Sequence, residues 1–297
     1  MSVDRSHRGS ICLEDCEVIS QSNYPGEQYV LRVRAPQCAE RARAGSFAHI
    51  RCGEDLPMRR PLSIMRVSKE HGWVEFLYKI VGLGLADLAR VQRGDTLSIL
   101  GPIGQPFVLR PEKPRPLLLG GGVGIPPMVF VADESRELPD VHPLVLMGSE
   151  IPFPFDTRPS QIMVDGIPSE AIACMPLLDS WGVASRLASL SDFAGCYNGF
   201  VTDLARSWLQ NLTQDALESV EILACGPGPM LAAAIHLAKE YDLPCQVSLE
   251  EYMACAVGGC AGCTVLVSTP EGDAMKRVCV DGPVFDGHQI HPGALTL

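Results

Sequence analysis

The sequence predicts a multidomain chain of three consecutive units. These are an N-terminal antiparallel β-barrel over residues 1–110, a central doubly wound parallel α/β sheet over 111–244, and a small C-terminal cysteine-bearing module over 245–297. Three observations carry the prediction. From Ile11 to about Val108, short β-rich runs alternate with turn signals, the spacing of a small antiparallel barrel. After the proline-rich hinge Pro111–Pro116, apolar strands alternate with glycine turns and helical patterns, which is the signature of a parallel sheet. Near the end, Cys255, Cys260 and Cys263 sit in one glycine-lined loop, with Cys279 following after a strand-like segment.

Composition bounds the possibilities. At 297 residues the chain is long enough for two or three domains with their own cores. An apolar fraction of 46% and a charged fraction of 20% describe an ordinary soluble globular protein. A net charge of −11 argues against nucleic acid as a partner, because phosphate binding needs clustered cations. The opening ten residues are polar, without a signal-peptide core. The longest apolar run, Pro116 to Ala132, is interrupted by Gly120, Gly121, Gly122, Gly124 and Pro126-Pro127, so no membrane span is expected. Twelve cysteines without a secretory leader read as reduced thiols and cofactor ligands, which points to the cytoplasm.

Within the first unit, Tyr29–Val33, Trp73–Tyr78 and Thr96–Leu100 read as strands. Two islands there carry chemistry. Arg60-Pro61-Leu62-Ser63 sets a guanidinium and a hydroxyl around a fixed-φ proline, and a planar guanidinium can grip a pyrophosphate. Lys79-Ile80-Val81-Gly82-Leu83-Gly84 looks like a strand, a glycine turn and a helix start, where backbone N–H groups can receive phosphate. Each also has a plain structural reading: a surface arginine, and an ordinary strand-to-helix turn.

In the second unit, Leu117-Leu118-Leu119 runs through Gly120, Gly121, Gly122 and Gly124 into a helix with Pro126 and Pro127 in its first turn. It departs from the usual dinucleotide glycine pattern, but the physics is shared. A buried strand ends, and Gly121, Gly122 and Gly124 let a dinucleotide lie against a helix N-terminus. His142–Met147 and Val220–Ala224 read as further strands, and Pro229–Tyr241 as an amphipathic helix. Segments 181–186 and 197–203 look like crossover material. After the strand ending at Met147, Glu150 offers a carboxylate for a free ribose and leans toward NAD, while Arg158 nearby blurs that lean. Cys225 reads either as a buried strand-end thiol or as a group beside a hydride path, and Gly226-Pro227 as a cofactor boundary.

In the third unit, the spacing C-x4-C-x2-C plus a distant fourth cysteine is that of a plant-type [2Fe–2S] site. A binuclear cluster needs four thiolates, and Gly258, Gly259 and Gly262 suit a loop that wraps it closely. Structural zinc is the competing reading, although zinc cysteines usually come as two separated pairs. Glu250 and Glu251 read as a solvated charged step, or as acceptors for backbone N–H groups that shape the loop. Residues 264–268 and 276–279 read as a hairpin that returns Cys279 over the loop, at a strand end.

The barrel islands, together with Gly101-Pro102-Ile103-Gly104-Gln105-Pro106-Phe107, resemble the FAD-binding domain of the ferredoxin–NADP reductase superfamily. Cys225-Gly226-Pro227-Gly228-Pro229-Met230 is similar to a nicotinamide-side loop of the same superfamily. Relatives commonly carry Thr or Ser where this chain has Leu85, so one hydroxyl–phosphate bond is absent here. The order of units and the ending Cys279-Val280-Asp281-Gly282-Pro283-Val284-Phe285 resemble one family closely: the electron-transfer subunits of heteromeric, NAD-linked dihydroorotate dehydrogenases.

The resemblance implies FAD bound by Arg60, Pro61, Leu62, Ser63, Lys79, Val81, Gly82 and Gly84, and NAD near Gly121, Gly122, Gly124, Gly226 and Pro227. It also implies a cluster on Cys255, Cys260, Cys263 and Cys279, and a partner subunit that carries FMN and oxidises dihydroorotate to orotate in pyrimidine biosynthesis. Electrons would pass from that partner through cluster and FAD to NAD, or back. Two alternatives stay open: a reductase subunit of another redox complex, of hydrogenase or transhydrogenase type, and a non-catalytic metal-binding interaction protein.

Overall fold

The computed structural model describes residues 9–53 and 56–295. The first unit comprises β1 (Cys12–Tyr24), β2 (Gln28–Arg34), α1 (Pro36–Arg41), β3 (Phe47–Ile50), β4 (Arg60–Ser68), β5 (Trp73–Lys79), α2 (Gly82–Leu88) and β6 (Thr96–Ile103). Its six strands close into a barrel in the order β1-β2-β5-β4-β3-β6, each pairing antiparallel. Period-two alternation explains the core: Val74, Phe76 and Tyr78 of β5 point inward with Leu31 and Val33 of β2. On the opposite face of β5, the buried Glu75 carboxylate takes Arg32 at 2.8 Å and Arg66 at 3.4 Å. A buried charge persists there because two guanidinium groups satisfy it.

The chain then enters β7 (Arg115–Gly121), α3 (Ile125–Ser135), β8 (Leu144–Gly148), β9 (Arg158–Pro159), β10 (Ala173–Cys174), α4 (Pro176–Ser180), β11 (Ala184–Ser189), β12 (Tyr197–Asn198), α5 (Val201–Gln210), α6 (Gln214–Glu218), β13 (Val220–Cys225), α7 (Gly228–Glu240) and β14 (Cys245–Ser248). Last come β15 (Thr264–Thr269), β16 (Gly272–Arg277), α8 (Val278–Asp281) and β17 (Val284–Asp286). The central sheet runs β12-β11-β8-β7-β13-β14-β17, parallel except for β17. From β7 the chain winds outward through β8 and β11 to β12, then returns to place β13 on the other side of β7. The order therefore reverses between β7 and β13, which makes their carboxyl ends the switch-point crevice.

Three expectations are corrected. Within the segments expected as crossover, residues 184–186 open β11 and Tyr197–Asn198 form β12, both in the sheet; Ala184, Ser185, Arg186, Ala188 and Ser189 carry no apolar run, and the register with β8 holds β11 there. Cys279 lies in the single turn α8 rather than at a strand end. The Arg277 N–H donates to the Asp281 carboxylate at 2.8 Å, and this bond closes the turn. The hairpin itself is formed by β15 and β16. β14 and β17, both beyond residue 244, extend the central sheet and so tie the cysteine-bearing segment to it.

The hinge is fastened by a buried polar knot. The fully buried Glu221 carboxylate on β13 takes the Arg110 guanidinium at 2.6 Å, and Gln246 on β14 donates to it at 3.2 Å. Gln246 also donates to the Val108 carbonyl and accepts from the Val108 N–H, at 2.8 and 3.0 Å. Barrel and sheet are thus held at a set angle by one carboxylate and one amide. Among the described residues no helix is long and apolar enough to cross a membrane.

Candidate functional site

The three units meet around a cavity of about 410 Å³. The barrel contributes Phe47, Pro61, Leu62, Ser63, Leu77, Tyr78, Lys79, Val81 and Leu85. The sheet contributes Val123, Gly226, Pro227, Gly228 and Leu231 from loops at its switch point, and the last unit contributes Ser248 to Met253 with Pro283, Ala294 and Leu295. Of the residues expected at a flavin or nicotinamide, Pro61, Leu62, Ser63, Lys79, Val81, Gly226 and Pro227 line this cavity.

Arg60, Gly82 and Gly84 lie at its barrel end rather than on its wall. There the two islands come together. A Cβ added to Gly84 would sit 2.9 Å from Arg60 Nε and 3.1 Å from its Cζ, so the guanidinium lies against the glycine turn that starts α2. The guanidinium stands where a side chain at position 84 would go, and Gly82 at φ +74° sets the turn. Arg60 Nη1 donates to the Met58 carbonyl at 2.8 Å, which aims the fork. Its neighbour Arg59 is committed elsewhere, donating to the Ser98 carbonyl at 2.6 Å. Leu85 packs on the barrel core and faces the cavity, in place of a hydroxyl. A planar guanidinium beside a run of backbone N–H groups is a donor set for a pyrophosphate, and an apolar slot between barrel and sheet fits a flat ring. The cavity residues therefore fit FAD.

Gly121, Gly122 and Gly124 lie behind the cavity wall, at the switch point. A Cβ on Gly124 would stand 2.3 Å from the Cys225 carbonyl oxygen, and one on Gly121 would stand 2.5 Å from Met230 Sδ. The turn after β7 and the loop after β13 thus touch backbone to backbone, a contact only glycine permits. Cys225 ends β13, is fully buried, and its thiol is held far above its ordinary value by burial and then by the nearby Glu250 charge. It is a protonated thiol at neutral pH, not a thiolate nucleophile. Glu150 is exposed just past β8, as a ribose partner would be, while Arg158 is paired with Asp179 at 3.5 Å.

The four cysteines gather in twos. Cys263 Sγ and Cys279 Sγ are 3.3 Å apart, both buried. Cys255 and Cys260 share a side-chain hydrogen bond. The loop curls through positive φ at Ala256, Gly258 and Ala261, and turns N–H groups onto sulfur: Gly259 to Cys255 at 3.3 Å and Gly262 to Cys260 at 3.4 Å. Burial alone would raise the Cys255 thiol, but N–H groups of Cys260, Val257 and Gly259 and the Cys260 thiol outweigh it, drawing it down to about 6. Burial and the Cys263 thiol push Cys279 up to about 12. Among the described residues, no three potential ligands converge on one point as a single-ion cage would require. Two pairs, each able to hold one iron, suit a binuclear cluster better than a lone tetrahedral zinc. Gly258 rests on Val280 of α8, and Arg277 donates to its carbonyl at 2.9 Å. The following Gly282 carbonyl accepts from Gln105 at 2.6 Å, so the cysteine segment is anchored to the barrel.

Sequence reading missed the wall residues Phe47, Leu231, Met253 and Leu295, and it took Glu250 for solvated surface. Glu250 is exposed, as that reading expects, and its exposed side lines the cavity mouth together with Glu251. An open groove of about 860 Å³ lies at the opposite edge of the sheet, where β7, β8 and β11 begin. Parallel sheets bind ligands at the carboxyl ends of their strands, so the smaller cavity is the functional one.

Comparison with known proteins agrees with this geometry. Residues 250–291 match the family profile described as the iron-sulfur cluster binding domain of dihydroorotate dehydrogenase B. The chain is 31% identical over 280 residues to the dihydroorotate dehydrogenase B (NAD(+)) electron transfer subunit of Desulforamulus reducens, covering 93% of this chain and 97% of that one. The protein of the same description from Geobacillus kaustophilus is 32% identical, over 93% and 98% of the two chains. Among solved structures, a NADH-dependent reduced ferredoxin-NADP oxidoreductase studied for flavin-based electron bifurcation superposes with TM-score 0.74 at 26% identity, covering 94% of this chain and 91% of that one. The ferredoxin reductase of a carbazole 1,9a-dioxygenase shares the fold at TM-score 0.61 and 20% identity, covering 79% and 67%.

Proposed function

The chain belongs to the family of dihydroorotate dehydrogenase B (NAD(+)) electron transfer subunits, and from that membership we propose that it passes electrons between a dihydroorotate-oxidising FMN subunit and NAD. The observation that carries the reading is the convergence of all three units on one cavity, with the four thiols fixed beside it on the segment that also supplies the cavity's Glu250 to Met253 wall.

When bound, the iron–sulfur cluster supplies one-electron chemistry and the flavin exchanges electrons singly or as hydride. Cys255, Cys260, Cys263 and Cys279 would hold the cluster through their thiolates. The Gly259 and Gly262 N–H groups donate to the sulfurs and favour the negatively charged thiolates. Cys260 is exposed, so this corner of the loop is the side turned to the partner subunit. Arg60 and the Gly82–Gly84 turn would hold the FAD pyrophosphate, and the cavity lined by Pro61, Leu62, Ser63, Gly226 and Pro227 would take the flat ring. The glycine contact between the β7 and β13 turns would shape the floor for NAD, and the exposed Glu150 would offer its ribose a carboxylate. Leu231, Leu249 and Leu295 keep the wall apolar and exclude water from the reacting edge. The units 1–110, 111–244 and 245–297 carry these three roles, with β14 and β17 of the last unit built into the central sheet. Twelve free cysteines suit a reducing compartment, and we place the protein in the cytoplasm.

The similarity to the NADH-dependent ferredoxin-NADP oxidoreductase favours a second reading, a subunit of another NAD-linked complex. Purifying the chain at native expression level separates the two. A copurifying FMN protein that lets dihydroorotate reduce NAD+ supports the first reading, and a different flavoprotein partner without that activity supports the second.

A further inference from the structure

An iron–sulfur cluster gains negative charge with each electron it takes, so whatever favours that charge raises its reduction potential. Backbone N–H groups aimed at the sulfurs act in this way, and so does a cation held nearby. The cysteine loop has both, joined through a single peptide bond. The Gly259 N–H donates to Cys255 Sγ at 3.3 Å. The carbonyl of the same peptide, on Gly258, accepts from Arg277 Nη1 at 2.9 Å. In a planar trans peptide the carbonyl and the N–H point opposite ways, so guanidinium, peptide and sulfur stand in a row. Hydrogen bonds in such a chain polarise one another. The cation draws electron density toward the carbonyl oxygen and leaves the N–H a stronger donor to sulfur.

Both ends of this row are fixed. Gly258 sits at φ +82°, and a Cβ there would stand 2.4 Å from Val280 Cγ2, so the glycine lies flat against α8. Its own N–H donates to the Cys279 sulfur. Arg277 ends β16 and caps α8, two residues before Cys279. Its backbone N–H donates to the Asp281 carboxylate at 2.8 Å, and its Nε lies 3.7 Å from the same oxygen. The carboxylate thus takes the Nε side of the planar fork and leaves Nη1 to the loop. With 29% of its side chain exposed, Arg277 is only partly screened by water.

We propose that Arg277 is a positioning residue that raises the cluster's reduction potential, acting through the Gly258–Gly259 peptide on the Cys255 sulfur, with Asp281 as its counter-charge. This rests on the function proposed above. Asp281 sets the size of the effect, because its negative charge offsets part of the guanidinium's. An electron arriving from the partner subunit is accepted more readily, and one arriving from the flavin is held more firmly.

The test uses the full chain loaded with FAD and cluster, equilibrated anaerobically with redox mediators at a series of potentials. The electron paramagnetic resonance signal of the reduced cluster and the flavin absorbance are read on the same samples. In Arg277→Met the cluster's one-electron equilibrium shifts about tenfold toward the oxidised form, a fall of about 59 mV. Arg277→Lys, which keeps the charge, restores most of it. Asp281→Asn, which keeps an acceptor for the Arg277 N–H but removes the counter-charge, shifts the equilibrium the other way. The flavin potential stays where it is in all three. A wild-type cluster potential in Arg277→Met would overturn the proposal. If that variant does not retain its cluster, Asp281→Asn decides: a raised potential supports the proposal, and an unchanged or lowered one sinks it. A wild-type chain lacking flavin and cluster altogether would refute the proposed function instead, and the visible spectrum shows this before any titration begins.

Discussion

Replacing Gly124 by alanine tests the geometry of the nucleotide side with a single methyl group. The new Cβ would stand 2.3 Å from the Cys225 carbonyl oxygen, 2.4 Å from its carbonyl carbon and 2.5 Å from the Gly226 nitrogen. An ordinary contact is roughly 3.4 Å, so the two turns must part by about 1 Å, and no flexible side chain is available to yield. The strands that carry them are locked in register, with Cys225 opposite Gly120, so the movement falls on the loops that form the crevice. Overpacking of this kind costs about 1–3 kcal/mol of stability. A displacement of about 1 Å at a reacting edge costs on the order of 100-fold in rate. The assay is stopped-flow reduction of the flavin by NADH, with thermal melting recorded in parallel. The expected result is a modest loss of melting temperature and a far larger loss in hydride transfer. A variant that melts and reduces flavin like the wild type would refute the close-approach reasoning.

Other perturbations address the remaining parts. Cys279→Ser should lose the cluster's visible absorbance while NADH still reduces the flavin; the opposite pattern would contradict the assigned order of carriers. Arg110→Met leaves the buried Glu221 without its cation, and we expect a loss of about 3 kcal/mol in urea unfolding, compared with Arg110→Lys. His49 is buried on β3 with neither ring nitrogen partnered, and burial, then the Arg59 charge, lower it from 6.5 to about 4. The unfolded chain therefore binds a proton that the folded one refuses. Stability is complete above about 6.5 and falls as pH drops toward about 4, by up to about 3 kcal/mol. In His49→Gln that part of the acid slope should vanish from the unfolding midpoint measured against pH.

How far the sequence went can be read from particular residues. Cys255, Cys260 and Cys263 were legible because ligand spacing is local, and the hairpin announced that Cys279 returns over them, but only the folded chain shows it beside Cys263. The barrel was legible because its strands alternate; Arg60 and Gly84 stood out as motifs, but only the closed barrel shows that they touch. β11 escaped because its place is set by register with β8, and its small and polar residues give no apolar signal. Glu250 escaped for a different reason. A charged pair after a strand reads as surface, and only the meeting of three units sets both glutamates on the wall of a cavity. His49 gave no signal at all, since a lone histidine in a strand says nothing about what will bury it.

The central claim is that one chain carries electrons between a four-cysteine cluster and NAD through a flavin. Anaerobic titration of the purified chain with NADH, followed by visible absorption and low-temperature electron paramagnetic resonance, tests it most directly. The account predicts flavin bleaching together with the signal of a reduced [2Fe–2S] cluster, the signal being absent in Cys279→Ser. A colourless, zinc-containing protein, or a cluster that stays oxidised while the flavin is fully reduced by NADH, would contradict it.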